Sequence, residues 1–401
     1  MTEEVPFDMR DDFDFLLTFL PCGWEEKAKE LGALRRCRKI PNAQVLLRLL
    51  LIHLAEGCSL RETAARAKHG GLIAVSDVAI MERLAVAGEW FRWMSTQLAA
   101  QWWVRPAEPV FTGPWQVRVI DATVVKEPGP TGSCWRIHYA LSLPALCCTE
   151  LYVTDSAGSG TGEGFTRFAV APGDLFLGDR AYGRAGDVAH VVQAGGAVIT
   201  RFAWSALPLW VNREQRFDLW SHLRSRRGSA PGDWPAQVEH QGKLIPGRVC
   251  AVKRSRQAAE QAQRQACRKA QKNGGQVAAE TLEAAQYVFV FTTLTAQQLG
   301  PAQVLEFYRG RWQVELVFKR LKSILALGHL HKQDEQAARA WLHGKLFVAL
   351  LIEAMLRAAE TFSPWGYPLC DPAGTEPVSV ARGSLHAASL PAGGQSRTEP
   401  A

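Results

Sequence analysis

Three carboxylates in this chain stand where an acid is costly. Asp121 lies in VRVIDATVV, flanked by valine and isoleucine, and Asp179 ends the apolar run LFLGDR. Glu315 is the one acid of FYRGRWQVELVFKRLKSI (307–324), among the basic residues Arg309, Arg311, Lys319, Arg320 and Lys322. An unpaired carboxylate buried in a strand is expensive, and each of these acids could alone be a strand-end cap or a partner for arginine. Together they make a hard oxygen donor set of the kind Mg2+ or Mn2+ takes, leaving positions open for water and phosphate. Two such ions ~3.5–4 Å apart stabilise the attacking and leaving oxygens of an in-line phosphoryl displacement. That chemistry explains a lone acid in a basic segment: Glu315 is a ligand, while Arg311, Lys319 and Lys322 hold phosphates of a DNA strand. Tyr308 can bond or pack against the backbone near the cleaved phosphate.

The elements that must position these groups can be read from the pattern. Drawn as one helix at ~100° per residue, 307–325 puts Tyr308, Arg311, Trp312, Glu315, Lys319 and Lys322 on one stripe. Phe307, Val314, Val317, Phe318, Leu321 and Leu325 form the opposite, core-facing stripe. Any surface helix shows such a division, and Arg311–Glu315 is an ordinary i,i+4 pair; the two strand acids are what give the stripe a chemical reading. WQVRVIDATVV is a strand with Val117, Val119, Asp121 and Thr123 on one face, followed by strands CWRIHYALSL (134–143) and TELYVTD (149–155). After a glycine-rich loop, GDLFLGDRAYG (173–183) is a strand ending at Asp179. Strands in sequence, a crossover and a further strand describe an α/β sheet.

Around that sheet the chain divides into five regions. Residues 1–110 are a helical N-terminal region in which 59–67 and 76–94 suggest a helix-turn-helix that reads DNA, although KHGGLIAV between them is long for that turn. Residues 111–196 form the first part of the core. Residues 197–293 are a β-rich insertion with strands AVITRFAW, WPAQVEHQ, GRVCAVKRS and QYVFVFTT, and a polar helix over 256–284, interrupted at Asn273-Gly274-Gly275, that reads as a solvated face. Residues 294–361 return to helix, and the Pro/Gly/Ser/Ala-rich 362–401 read as a disordered tail.

Composition sets the outer bounds. The 401 residues are 47% hydrophobic and 21% charged, with net charge +7 and pI about 9.0, a balance that leans toward a polyanionic partner. Nine scattered cysteines without a C-x-x-C pair argue for reduced thiols rather than a disulfide framework or a zinc site. The acidic N-terminus lacks a signal-peptide order, and the longest apolar run, LFVALLIEAML, is too short to span a bilayer. The expectation is a cytoplasmic protein with no membrane partner.

Tyr308, Arg311, Glu315 and Lys322 stand as Y-x2-R-x3-E-x6-K, which resembles the YREK signature of the IS4 family of bacterial insertion-sequence transposases. The resemblance extends to IDAT at Asp121, WRIHY at 135–139, GDRAYG at 178–183 and RWQVELVFKRLKSILALGHL at 311–330, and spans roughly 40–360. It implies an RNase H-like fold in which Asp121, Asp179 and Glu315 are the catalytic triad holding two Mg2+ or Mn2+ ions, with the β-strand insertion between the second Asp and the Glu. It implies that Tyr308, Arg311 and Lys322 hold terminal transposon DNA, and that Arg180 and Tyr182 are further DNA contacts. It also implies cut-and-paste transposition: nicking by water at the terminal inverted repeats, a hairpin intermediate, and joining of the 3′ hydroxyl to target DNA, within a homodimeric synaptic complex. It implies, too, a bacterial, nucleoid-associated protein. The tail departs from the family's pattern.

A hairpin needs a sharply bent strand, eased by taking a base out of the stack onto an aromatic side chain. Trp312, beside Arg311, is the first candidate, with Trp204 and Trp210 behind it. His329, His331 and Asp334 match no zinc spacing and are not read as a metal site. Two other readings stand beside transposition: an RNase H-like nuclease that cuts without joining, and a non-catalytic DNA-binding protein or inactive transposon remnant.

Overall fold

The computed structural model describes residues 9–35, 39–102, 115–126, 134–143, 145–158, 160–226, 230–272, 274–327, 330 and 334–360. Two compact units divide the chain, Met1–Ala354 and Met355–Ala401. Of the second only the end of one helix is described; the tail expected to be disordered, His329 and His331 lie outside the described residues.

The N-terminal region is helical: α1 (Met9–Leu17), α2 (Trp24–Glu30), α3 (Ala43–Leu54), α4 (Leu60–His69), α5 (Asp77–Val86) and α6 (Gly88–Trp102). Side-chain oxygens start three of them, as Asn42, Ser59 and Ser76 accept from the N–H groups of Val45, Glu62 and Ala79. The stretch 76–94, read as one helix, is two. The Ala87 N–H reaches back three residues to Leu84 and closes α5 on a tight final turn. α5, the second helix of the expected helix-turn-helix, exposes Val78 and Met81 rather than a basic face.

Among the described residues nine strands form one sheet: β1 (Gln116–Lys126), β2 (Cys134–Ser142), β3 (Cys147–Asp155), β4 (Asp174–Gly178), β5 (Ala197–Arg201), β6 (Leu209–Trp210), β7 (Gly232–His240), β8 (Lys243–Lys253) and β9 (Tyr287–Thr292). Their order is β3-β2-β1-β4-β5-β9-β8-β7-β6. β1, β2 and β3 are an antiparallel meander, while β4 runs parallel to β1 and β5 parallel to β4. Those five strands are an RNase H-like core. AVITR, assigned to the insertion by its sequence, pairs with β4 inside that core, and β9 joins antiparallel to it. The insertion's strands therefore continue the core sheet.

Side chains alternate between faces along each strand. Ile120, Phe176 and Val198 share one face and pack with Val188 of α7 (Ala185–Gln193). Val119, Leu177 and Ile199 take the other face and are fully buried too. Beyond the core lie α8 (Leu219–Ser225), α9 (Arg256–Lys272), α10 (Ala279–Ala284), α11 (Pro301–Gly310), α12 (Trp312–Ser323) and α13 (Glu335–Glu360). α11 packs on β5, β8 and β9, and α12 on β1. Val314, Phe318 and Leu321 are the buried side of α12, each worth ~1.5–3 kcal/mol as apolar surface removed from water. Phe318 meets Tyr139, the cross-strand partner of Asp121, edge-on at 6.1 Å. Among the described residues no helix is long and apolar enough to cross a membrane.

Candidate active site

The register of β1 and β4 brings the two strand acids to one edge. The β1–β4 pairing ends at Val119↔Leu177 with the strands parallel, so Asp121 and Asp179, each two residues further on, come off neighbouring strands at the same edge, where Asp179 adds its charge beside Asp121. By the same count Arg201, at the end of β5, is level with Asp179. All three lie on the α12 side. The close approach behind Asp179 requires glycine at 178: a Cβ there would sit 2.6 Å from the Phe165 ring and 2.7 Å from the Tyr182 Cβ.

Glu315 reaches this edge from α12. The basic segment drawn as one helix is two, with Arg311 as the joint. The Arg311 N–H bonds Tyr308 O at 3.2 Å and the Val314 N–H bonds Arg311 O at 3.2 Å, both three-residue spans. The break falls where Gly310 passes Leu143: a Cβ would come within 2.9 Å of that side chain. The stripe still holds, because Arg311 points at the sheet. Its guanidinium donates from Nη1 to Asp121 Oδ2 at 2.8 Å and from Nη2 to Glu315 Oε1. One arginine thus joins the first and third acids of the sequence reading.

The remaining oxygens are partly free. Asp121 Oδ1 accepts from the Ala122 N–H at 2.8 Å, and Asp179 Oδ1 from the Ala181 N–H at 2.8 Å. The Glu315 side chain is 59% exposed. Burial pushes the Asp121 carboxyl up to about 7; Arg311 and the Ala122 N–H oppose this, and Asp179 and Glu163 add to it. Burial likewise raises Glu163, with Asp179 adding to the rise. Asp179 adds its charge beside Asp121 and has no ion pair of its own among the described residues. Among the described residues no three His, Cys, Asp or Glu side chains converge closely enough to hold one ion; the Arg311 guanidinium stands between Asp121 and Glu315. The donor set fits a hard divalent cation nonetheless: all oxygen, with unspent oxygens on Asp179 and Glu315 and an under-compensated carboxyl at Asp121.

The other sequence-predicted residues separate. Lys319 and Lys322 are exposed on α12, with no ion pair among the described residues. The Arg311 guanidinium lies 6.0 Å from the Tyr308 ring centroid. Trp312 is 50% exposed, and Trp204 is 37% exposed. Trp210 already has the Arg216 guanidinium 4.8 Å over its ring. Arg180 is exposed, but Tyr182 is corrected. It is fully buried and stacked on Phe165 at 5.0 Å, so it is part of the floor beneath the acids and not a DNA contact. The alternation of the turn explains this, since residues two apart point alike only in an extended strand.

Three residues were missed. Glu163 comes from the glycine-rich loop and is paired with Arg136 at 3.4 Å. Arg201 and Arg254 end strands β5 and β8. Burial lowers the Arg180 guanidinium, and the positive charges of Arg201 and Arg254 lower it further, while Tyr308 opposes. Burial, and then the charge of Arg201, lower the Arg254 guanidinium, with Tyr308 opposing. Three arginines crowd together beside the acids, and none has a carboxylate within ion-pair distance among the described residues. A basic residue closing an apolar strand was the only sequence signal for either.

Comparison with known proteins places this arrangement. Residues 113–351 match the family model described as the transposase DDE domain. The InsL transposase of insertion sequence element IS186A of Escherichia coli (strain K12) is 33% identical over 85% of this chain and 92% of its own length. The transposase for insertion sequence element IS421 of Escherichia coli is 32% identical over the same shares. A piggyBac transposase synaptic complex with hairpin DNA is 9% identical at a TM-score of 0.39, covering 88% of this chain and 80% of that one, a likeness too loose to argue from. By the first two findings the chain belongs to the transposase DDE domain family, among the insertion-sequence transposases of the IS4 family.

Proposed function

We propose that this transposase moves its element by cut-and-paste phosphoryl transfer, with Asp121, Asp179 and Glu315 as the ligands of two Mg2+ or Mn2+ ions. The observation that carries the reading is one guanidinium, Arg311, that joins the β1 acid Asp121 to the α12 acid Glu315, with Asp179 at the end of the neighbouring strand. When bound, the ions would supply charge stabilisation to the attacking and leaving oxygens. The chain's own groups do the rest. Asp121, Asp179 and Glu315 would hold the ions, and Arg311, released from its carboxylates, would be free to bind a DNA phosphate. Lys319, Lys322, Arg180, Arg201 and Arg254 hold the backbone on either side, and Tyr308 packs against it. Trp312, exposed beside Arg311, receives a base turned out of the stack, which relieves bending during hairpin formation. Two copies assemble on the paired ends.

The test first reads the DNA flanking the reading frame for paired inverted repeats and then uses duplexes that carry them. With MgCl2 the full chain is expected to nick the ends, form hairpins and join 3′-hydroxyl ends to a plasmid. Cutting without joining would reduce the reading to a nuclease, and cutting unaffected by Asp121→Ala would refute the site.

A further inference from the structure

The polar helix α9 is the element whose sequence most suggests a passive surface, and its placement argues otherwise. It carries five basic residues, Arg256, Arg264, Arg268, Lys269 and Lys272, against one acid, Glu260. No residue of it is buried. On a wheel its alanines, Ala258, Ala259, Ala262, Ala266 and Ala270, gather on one side, and these are the partly covered positions, toward α10. Gln263 fixes that packing by donating to Leu282 O at 3.0 Å. The opposite side is a row of exposed arginine, lysine and glutamine. Glu260 is held by Arg256 at 3.0 Å, and the α10 acid Glu283 by Arg224 at 2.7 Å. Arg264, Arg268 and Lys272 therefore follow one another at four-residue spacing with no carboxylate partner among the described residues. Like charges so spaced repel and weaken a helix, a cost with no return unless a polyanion lies along the row.

The helix also starts at the right edge. β8 runs in the same direction as β4 and β5, because β9 is antiparallel to both β5 and β8. It ends at the edge that bears Asp179 and Arg201, and Arg254, between β8 and α9, belongs to the arginine group beside the acids. α9 rises ~25 Å from there.

We propose that the Arg264–Arg268–Lys272 row of α9 is a sequence-independent grip for duplex DNA, held by its phosphates and continuing the arginine group outward from the catalytic edge. This rests on the transposase reading of the site. Its test is the salt dependence of binding by the full chain to a 40-bp duplex of arbitrary sequence and to the same duplex carrying the terminal repeats. Each phosphate contact adds about 0.9 to the slope of log K against log salt. The variant R264Q/R268Q/K272Q keeps good helix formers and should lose about 2–3 from the slope on both duplexes. R264K/R268K should lose none, and Mg2+-dependent nicking of an end bound at low salt should persist in both. A slope unchanged in the glutamine variant, or a loss confined to the terminal-repeat duplex, would overturn the grip while nicking by the wild type left the transposase reading intact. Wild type that neither binds nor nicks would instead overturn that reading.

Discussion

Two arginines in this fold each bridge two carboxylates, and they do opposite things. Arg118, three residues before Asp121 on β1, bonds Glu150 at 2.7 Å and Asp174 at 3.3 Å, donates to Ala169 O at 2.7 Å, and lies over Phe176. Arg118 and Asp174 are buried, Glu150 is mostly covered, and both carboxylates find their counter-charge within the cluster. Arg311 bonds Asp121 and Glu315, but Glu315 is exposed, and Asp179, with no ion pair among the described residues, adds its charge beside Asp121. The contact lists look alike. The difference is in the surplus charge and in the access, and it separates a brace from a site: one cluster is complete, and the other is balanced only until a cation and a phosphate arrive.

Mutations should pull the two apart. The largest effect is expected at the acids of the open cluster. Asp121→Asn, Asp179→Asn and Glu315→Gln should each lower nicking by about 10³-fold or more, since several kcal/mol of charge stabilisation is lost. Their melting temperatures should hold or rise; a melting temperature that falls in step with activity would make Asp121 another brace. Next in size, Arg118→Ala strands the buried Asp174 and the partly covered Glu150 and should cost about 3–5 kcal/mol in denaturant unfolding, with nicking retained by the protein that stays folded. A loss of under 1 kcal/mol would deny the enclosure of that cluster.

Protons sharpen the contrast further. Because burial holds the Asp121 carboxyl near 7, well above its ordinary value, it is protonated below that pH, and a metal must displace the proton. Mn2+ affinity, followed by electron paramagnetic resonance, should rise about tenfold per pH unit toward 7 and level off above it. The same shift makes metal-free protein lose stability as pH rises from about 4 to 7, because the folded state binds the extra proton there; Asp121→Asn should flatten that slope. The smallest effect belongs to Arg311→Ala. Without DNA it should bind Mn2+ a few-fold more tightly, as the competing guanidinium is gone, while duplex affinity falls; weaker Mn2+ binding would mean that Arg311 positions the acids rather than competing for them.

The chemistry of this edge was more legible in the sequence than its shape. A carboxylate amid valine and isoleucine, and another closing LFLG, are visible because burying charge is costly in any fold. The amphipathic stripe of α12 was visible because its period is local. What the pattern could not contain is what depends on distant neighbours. The joint at Arg311 is set by Leu143 against Gly310, far back in the chain. Tyr182 was read as a contact because GDRAYG resembles the family's motif, and only the packing of Phe165 shows that it faces inward. Glu163, Arg201 and Arg254 belong to the site through sheet order, and the pairing of β5 with β9 links residues some ninety positions apart. Residues whose role comes from pairing leave no mark in their own neighbourhood.

That pairing has a consequence for anyone wishing to trim the molecule. Strand β5 is hydrogen-bonded on one flank by β4 and on the other by β9. Excising the segment that ends in β9 would not remove an appendage; it would leave the inner strand beside Asp179 with a bare row of amide and carbonyl groups, a template on which a neighbouring molecule could stack. The smallest version of this enzyme that stays monodisperse must therefore keep the insertion's last strand, whatever else it sheds.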